Sequence, residues 1–174
     1  PMTGAKMVLP GMGMDGETLQ RLMDDEGVTI SAGVPTIWMG LLQYLKQSGK
    51  HLDNVERFII GGSACPRVIL EEFDNTYGIR TDHAWGMTET SPLGTYNSPK
   101  PSWNGLDKAE VHTRQLKQGR GLYGIEMKIV DGEDQELPWD GEAFGALLVR
   151  GPWVVREYFR SEDGPAVDED GWFN

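Results

Sequence analysis

The chain has 174 residues, enough for one domain with a real core, and its 27 Asp and Glu against 16 Lys and Arg set a formal net charge of −11. That acidic balance favours solubility and speaks against nonspecific attraction to nucleic acid or anionic lipid. No apolar run is long enough for a transmembrane segment and the start lacks the regions of a signal peptide, so a cytoplasmic protein is expected.

The single cysteine, Cys65, excludes an internal disulfide, and no second one joins the three histidines to suggest zinc; it reads as a small buried side chain. The chain begins at Pro1 and ends at Asn174 inside the apolar run GWFN, so neither end resembles a natural terminus and an internal fragment is expected.

In chain order, Asp15 is placed to cap a helix running to about Glu26, with Leu19, Leu22 and Met23 on one face and Gly27 at its end. VTISAGV follows as a strand. Pro35 suits a first helical turn, and Ile37, Leu41, Leu42 and Leu45 recur at helical spacing until Gly49. RFIIGG is the next strand. Pro66 opens a helix carrying Ile69, Leu70 and Phe73 that Gly78 closes, and IRTDHAW is a third strand. This alternation predicts an α/β fold, a parallel sheet with right-handed crossover helices.

Past residue 96 the pattern changes. The polar stretch SWNGLDKAEVHTRQLKQG reads as a short surface helix or a loop. GIEMKIVD, GALLVRG and WVVREYF then read as short strands between the turn signals DGEDQ, PWDG and EDGP. The expected division is an α/β subdomain over 1–96, a polar connection over 97–120, and an antiparallel, β-rich segment, part of a barrel, over 121–174.

In an open parallel sheet, ligands gather where the carboxyl ends of strands meet loops. Two such ends are rich in special residues: GGSACP, residues 61–66, and AWGMTET, residues 84–90. Gly61 and Gly62 let a ligand approach the main chain. Trp85 offers a flat face for stacking, Gly86 leaves room beneath it, and Thr88 supplies a hydroxyl suited to a phosphate oxygen. Glu89 supplies the hard carboxylate that magnesium on phosphates prefers. Plainer readings stand beside these: GGS as a tight turn, the TETS hydroxyls as turn partners, His83 as a histidine bonded within the fold, and Trp85 as core. Read from residues alone, this is an α/β domain with a nucleotide crevice.

AGVPTIW, VERFIIGGSACP, HAWGMTETSP, KQGR leading to GIEMKIVD, LLVRGPWVVREYF and DEDGWFN follow one another in the order and spacing of landmarks of the adenylate-forming (AMP-binding) enzymes. Over essentially its whole length the chain resembles their fatty acyl-CoA synthetase branch, as an internal piece of the large N-terminal domain. HAWGMTE, with Trp in the aromatic position, most resembles medium-chain acyl-CoA ligases and the relatives that activate 3-methylmercaptopropionate.

The resemblance implies that a fatty acid or related small carboxylate is adenylated with ATP and Mg2+ and its acyl group passed to coenzyme A. It implies that Trp85 stacks on adenine and that Gly61, Gly62, Ser63 and Ala64 run along its other side and the acyl pocket. His83 and Ala84 then present groups to the adenine edge, with Gly86 and Met87 in the same nucleotide loop. Thr88 binds the α-phosphate and Glu89 the metal.

The family's phosphate loop, ribose-binding Asp, hinge and C-terminal Lys would lie outside residues 1–174, so the piece alone is expected to be inactive. Its cut sheet edges predict low stability or dimerisation and leave a homodimeric parent open. GRGLYGIE lacks prolines common in the family, and Ala146 replaces a common Glu; both departures touch turn geometry more than chemistry. Rival readings are another adenylating branch, aryl-CoA ligase or carrier-protein loading, and a noncatalytic nucleotide-binding module.

Overall fold

The computed structural model describes residues 3–162 and 164–174, in two compact units. The first comprises the residues up to Ala84 together with Asn97–Gly119, and the second Trp85–Tyr96 with Arg120–Asn174.

The helices of the first unit begin and end on local signals. α1 (Gly16–Asp25) starts at Asp15, whose Oδ1 accepts the Thr18 N–H at 2.9 Å, satisfying one of the donors a helix start leaves open. α2 (Pro35–Ser48) has Pro35 in its first turn and stops at Gly49, left-handed with φ 69°. α3 (Arg67–Tyr77) stops in the same way at Gly78. Pro66 precedes α3 as its cap and is not its first helical residue.

Between these helices run β1 (Ile30–Gly33), β2 (Arg57–Ile60) and β3 (Arg80–Gly86), paired in parallel with Gly33 opposite Ile60 and Ile60 opposite His83. Their helices pack an aromatic seam. Trp38 of α2 stacks on Phe58 of β2 with centroids 4.1 Å apart, and Phe58 meets Phe73 of α3 edge to face at 4.8 Å. Leu41, Leu45, Ile60, Ile69 and Ile79 are completely buried around it. Asp82, a buried carboxylate in β3, is paired with Arg80 at 2.9 Å and Arg57 at 3.7 Å, as burial of charge requires.

The polar stretch after residue 96 contains a 3-10 turn at Pro101–Trp103 and a helix, α4 (Lys108–Gln115), capped by Asp107. His112 of α4 bonds Asp74 of α3 at 2.6 Å. The Asn97 amide donates to the carbonyls of Lys117 (2.6 Å) and Arg114 (2.7 Å), covering acceptors that the end of α4 leaves open.

Two strands complete the larger sheet, β4 (Leu93–Asn97) and β5 (Arg120–Gly121), which pair antiparallel with Thr95 opposite Gly121. The order is β1-β2-β3-β4-β5, so the expected parallel sheet is a mixed one. β3 and β4 both run across the division between the units. In the second unit β6 (Glu126–Val130) and β7 (Ala146–Arg150) form a separate antiparallel pair, with Ile125, Val149, Val154 and Phe173 as its core. No closed barrel forms among the described residues.

Two stretches depart from the sequence reading. LGTYN, which the sequence reading assigned to no element, is β4. WVVREYF, expected to be a strand, is not one: the Val154 N–H goes to the Gly151 carbonyl in a turn and the Val155 N–H to the Glu89 carbonyl at 2.8 Å, so its donors do not enter a ladder.

Candidate functional site

In the first unit β2 runs directly into Gly61, whose N–H still donates to Gly33 of β1 at 3.2 Å. Gly62 then turns the chain at φ 81°, with the Val34 side chain 3.0 Å from where a Cβ would stand, so a left-handed backbone and a close neighbour both favour glycine. Gly62, Ser63 and Ala64 are exposed and Cys65 is buried. Burial pushes the Cys65 thiol up to about 11, which leaves it protonated at neutral pH and unsuited to nucleophilic work.

His83 and Ala84, at the end of β3 in this unit, are both buried. The His83 ring lies between two carbonyls, Leu116 at 3.2 Å from Nδ1 and Ser63 at 3.4 Å from Nε2. Its imidazole is thus engaged with the protein and braces the exposed 62–64 loop.

A concavity of about 890 Å³ in this unit lies elsewhere. It runs along β1 between α1 and residues 5–10 and is lined by apolar groups such as Leu9, Leu22, Ile30 and Ile37. Ala32, Gly33, Val34 and Trp38 of the AGVPTIW stretch also line it.

In the second unit the remaining candidates form one short turn. Trp85 and Gly86 end β3, and Thr88–Thr90 make a single 3-10 turn after Met87. A Cβ on Gly94 would stand 2.5 Å from the Trp85 ring, so the half-buried indole lies against the β4 backbone. A Cβ on Gly86 would stand 1.7 Å from the Pro92 carbonyl oxygen, leaving no space for any side chain.

Thr90 holds this turn. It is completely buried, its Oγ1 accepts the Met87 N–H at 2.9 Å, and its hydroxyl faces the Pro92 carbonyl at 2.6 Å and the Met87 carbonyl at 3.0 Å. The structural duty open to any of the TETS hydroxyls therefore falls on Thr90. Thr88 is exposed and Glu89 half-buried.

Glu89 is gripped by the segment that follows β7: its carbonyl accepts from Val155, and its Oε1 accepts the Tyr158 phenol at 2.9 Å. That bond holds the Tyr158 hydroxyl above its ordinary value, because the carboxylate stabilises the protonated phenol. Tyr158 carries no signal in the sequence. It lies 69 residues from Glu89, in a run of aromatic and β-branched residues that reads as strand.

Among the described residues no group of three or more His, Cys, Asp or Glu could hold a metal ion. A protein-built metal cage is therefore not what these residues offer. A lone hard carboxylate beside a free hydroxyl fits a cation carried mainly by substrate phosphates, the usual habit of magnesium. No helix of the described residues is long and apolar enough to cross a membrane.

The family of AMP-binding enzymes matches residues 2–159. A 3-methylmercaptopropionyl-CoA ligase of Ruegeria lacuscaerulensis is 48% identical over 172 residues, 99% of this chain and 32% of that protein. A medium-chain-fatty-acid–CoA ligase of Ectopseudomonas oleovorans is 45% identical over 173 residues, with the same shares. The chain thus spans about a third of the length of these curated relatives. Among solved structures, a long-chain-fatty-acid–CoA ligase of Archaeoglobus fulgidus superposes with a TM-score of 0.74 at 23% identity, covering 91% of this chain and 33% of that one. An anthranilate CoA ligase in complex with anthranoyl-AMP gives 0.76 at 19% identity, covering 95% of this chain and 30% of that one. At those identities the two structures speak for the fold.

Proposed function

The chain belongs to the AMP-binding enzyme family, and from that premise we propose that it is part of an AMP-forming fatty acyl-CoA synthetase. The parent would adenylate a medium- or long-chain aliphatic carboxylate with ATP and transfer the acyl group to coenzyme A.

The observation that carries this reading is the division of labour in the turn after β3. The side chain of Thr90 bonds the main chain of the turn, which leaves the side chains of Thr88 and Glu89 at the carboxyl end of a sheet strand, where ligands of such folds collect. The names of the relatives at 48% and 45% identity support the acyl-CoA branch.

The chemistry suits these side chains. Attack of a carboxylate on the α-phosphate brings two anions together, and donors fixed beforehand reduce the charge that grows in the transition state. Thr88 donates its hydroxyl to an α-phosphate oxygen. Glu89 holds magnesium, which when bound offsets negative charge on the phosphates. Trp85 stacks on the adenine.

Carboxylate-dependent ATP–pyrophosphate exchange by the complete parent, with short, medium, long and aromatic acids, tests the proposal. Magnesium-dependent exchange with aliphatic acids is expected. Exchange confined to aromatic acids would move the assignment to another adenylating branch, and no exchange from a folded parent that binds ATP would favour a noncatalytic module. Trp85→Ala should weaken ATP binding by about 1–3 kcal/mol, the worth of a base–aromatic stack, as read by calorimetric titration. An unchanged affinity would assign Trp85 to the core alone.

A further inference from the structure

We infer that Tyr158 is a positioning residue for the Glu89 carboxylate, setting the direction in which it meets a phosphate-bound divalent cation. The inference rests on the reading of Glu89 as the metal contact and adds a residue to it.

The geometry lies wholly within the second unit. Residues 151–160, after β7, form no helix or strand, yet three hydrogen bonds tie them to the stretch 89–93. The Trp153 indole N–H donates to the Leu93 carbonyl at 3.1 Å, the Val155 N–H to the Glu89 carbonyl at 2.8 Å, and the Tyr158 hydroxyl to Glu89 Oε1 at 2.9 Å. Buried Val154 and partly buried Val155 and Trp153 pack in the same cluster as Met87 and Trp85. The main chain of Glu89 is therefore held by the segment that also holds its side chain.

The choice of partner matters chemically. A carboxylate has about four lone-pair sites, so accepting one O–H leaves capacity for a cation. A phenol is neutral when it donates, so it fixes the rotamer without cancelling the charge that attracts the metal; Lys or Arg in its place would cancel it. Outer partners of this kind orient metal-binding carboxylates and typically change metal affinity or activity about 10–100-fold when removed. At 47% exposure Tyr158 is too open for the ring to serve chiefly as core.

The test compares Tyr158→Phe, Glu89→Ala and the unsubstituted complete parent enzyme. Binding of Mn2+ in place of Mg2+ is followed by electron paramagnetic resonance with a nonhydrolysable ATP analogue present, and ATP–pyrophosphate exchange is measured across magnesium concentrations. Tyr158→Phe should weaken Mn2+ binding about 10-fold and raise half-saturating magnesium to match, while exchange at saturating magnesium returns to within a few fold of the parent. Unaltered Mn2+ binding by Tyr158→Phe, with Glu89→Ala clearly impaired, would overturn the role of Tyr158 and leave Glu89 in place. Unaltered Mn2+ binding by Glu89→Ala would overturn the metal reading itself.

Discussion

Replacing Glu89 by alanine in the complete parent is expected to lower adenylation on the order of 10²–10³-fold or more, the scale on which loss of one preorganised electrostatic contact acts. The fold should survive. The turn is held by Thr90 and by the Glu89 main-chain carbonyl, both indifferent to the side chain at 89. The Tyr158 hydroxyl, half-exposed, would exchange its partner for water. ATP–pyrophosphate exchange against magnesium concentration, with an unfolding curve as control, reads the result. Glu89→Gln separates charge from shape, because the amide oxygen still accepts from Tyr158 while the negative charge is gone; a loss as large as that of alanine assigns the effect to charge. Exchange at the parent's level from either variant at saturating magnesium would remove Glu89 from the site.

Gly86→Ala should be the most damaging small substitution in the same turn. A Cβ there would stand 1.7 Å from the Pro92 carbonyl oxygen, 2.7 Å from its carbon and 3.0 Å from Leu93 Cα. All three are backbone atoms, so no side-chain rotation relieves the overlap. Either the end of β3 or residues 92–93 must move, and Thr90 then loses its 2.6 Å contact with the Pro92 carbonyl. The indole of Trp85, lying against Gly94, moves with them. The expected cost is about 3 kcal/mol, the upper end for overpacking. It would appear as a lowered unfolding midpoint together with weakened ATP binding in the parent. A variant with the parent's midpoint and ATP affinity would show that the two backbones separate freely and that glycine is not required.

Most of the first unit's framework was legible because its signals act over a few residues. Asp15 reaches only to Thr18, Pro35 fits a helix start by its own fixed torsion, and Gly49 and Gly78 end helices by adopting the left-handed backbone themselves. The alternation of strands and helices up to residue 86 followed from apolar spacing for the same reason. The expected candidates at 61–64 and 83–89 came from residue types at strand ends and from the family resemblance. The pattern did not say which of them point outward.

The second unit was harder because its pairings join distant stretches. LGTYN is poor in strand formers and follows a proline, yet it is a strand because Tyr96 and Thr95 find Arg120 and Gly121 across a turn of the chain that includes α4. WVVREYF has strand composition, yet its amides are drawn to Gly151 and to Glu89. Which threonine bears the turn was likewise undecidable from TETS, since Thr88 and Thr90 are the same residue type two positions apart. Burial settles it, placing Thr90 fully inside and Thr88 outside.

The amino-acid sequence by itself determined the helices α1 to α3, the three parallel strands and the family, and left α4 open between helix and loop. Only the tertiary structure decided that Thr90 bears the turn, that Gly86 has no room for a side chain, and that Tyr158 meets Glu89. The first two depend on how the chain folds back between residues 86 and 93, and the third on segments 69 residues apart, and in neither case does a periodicity or capping preference carry the information.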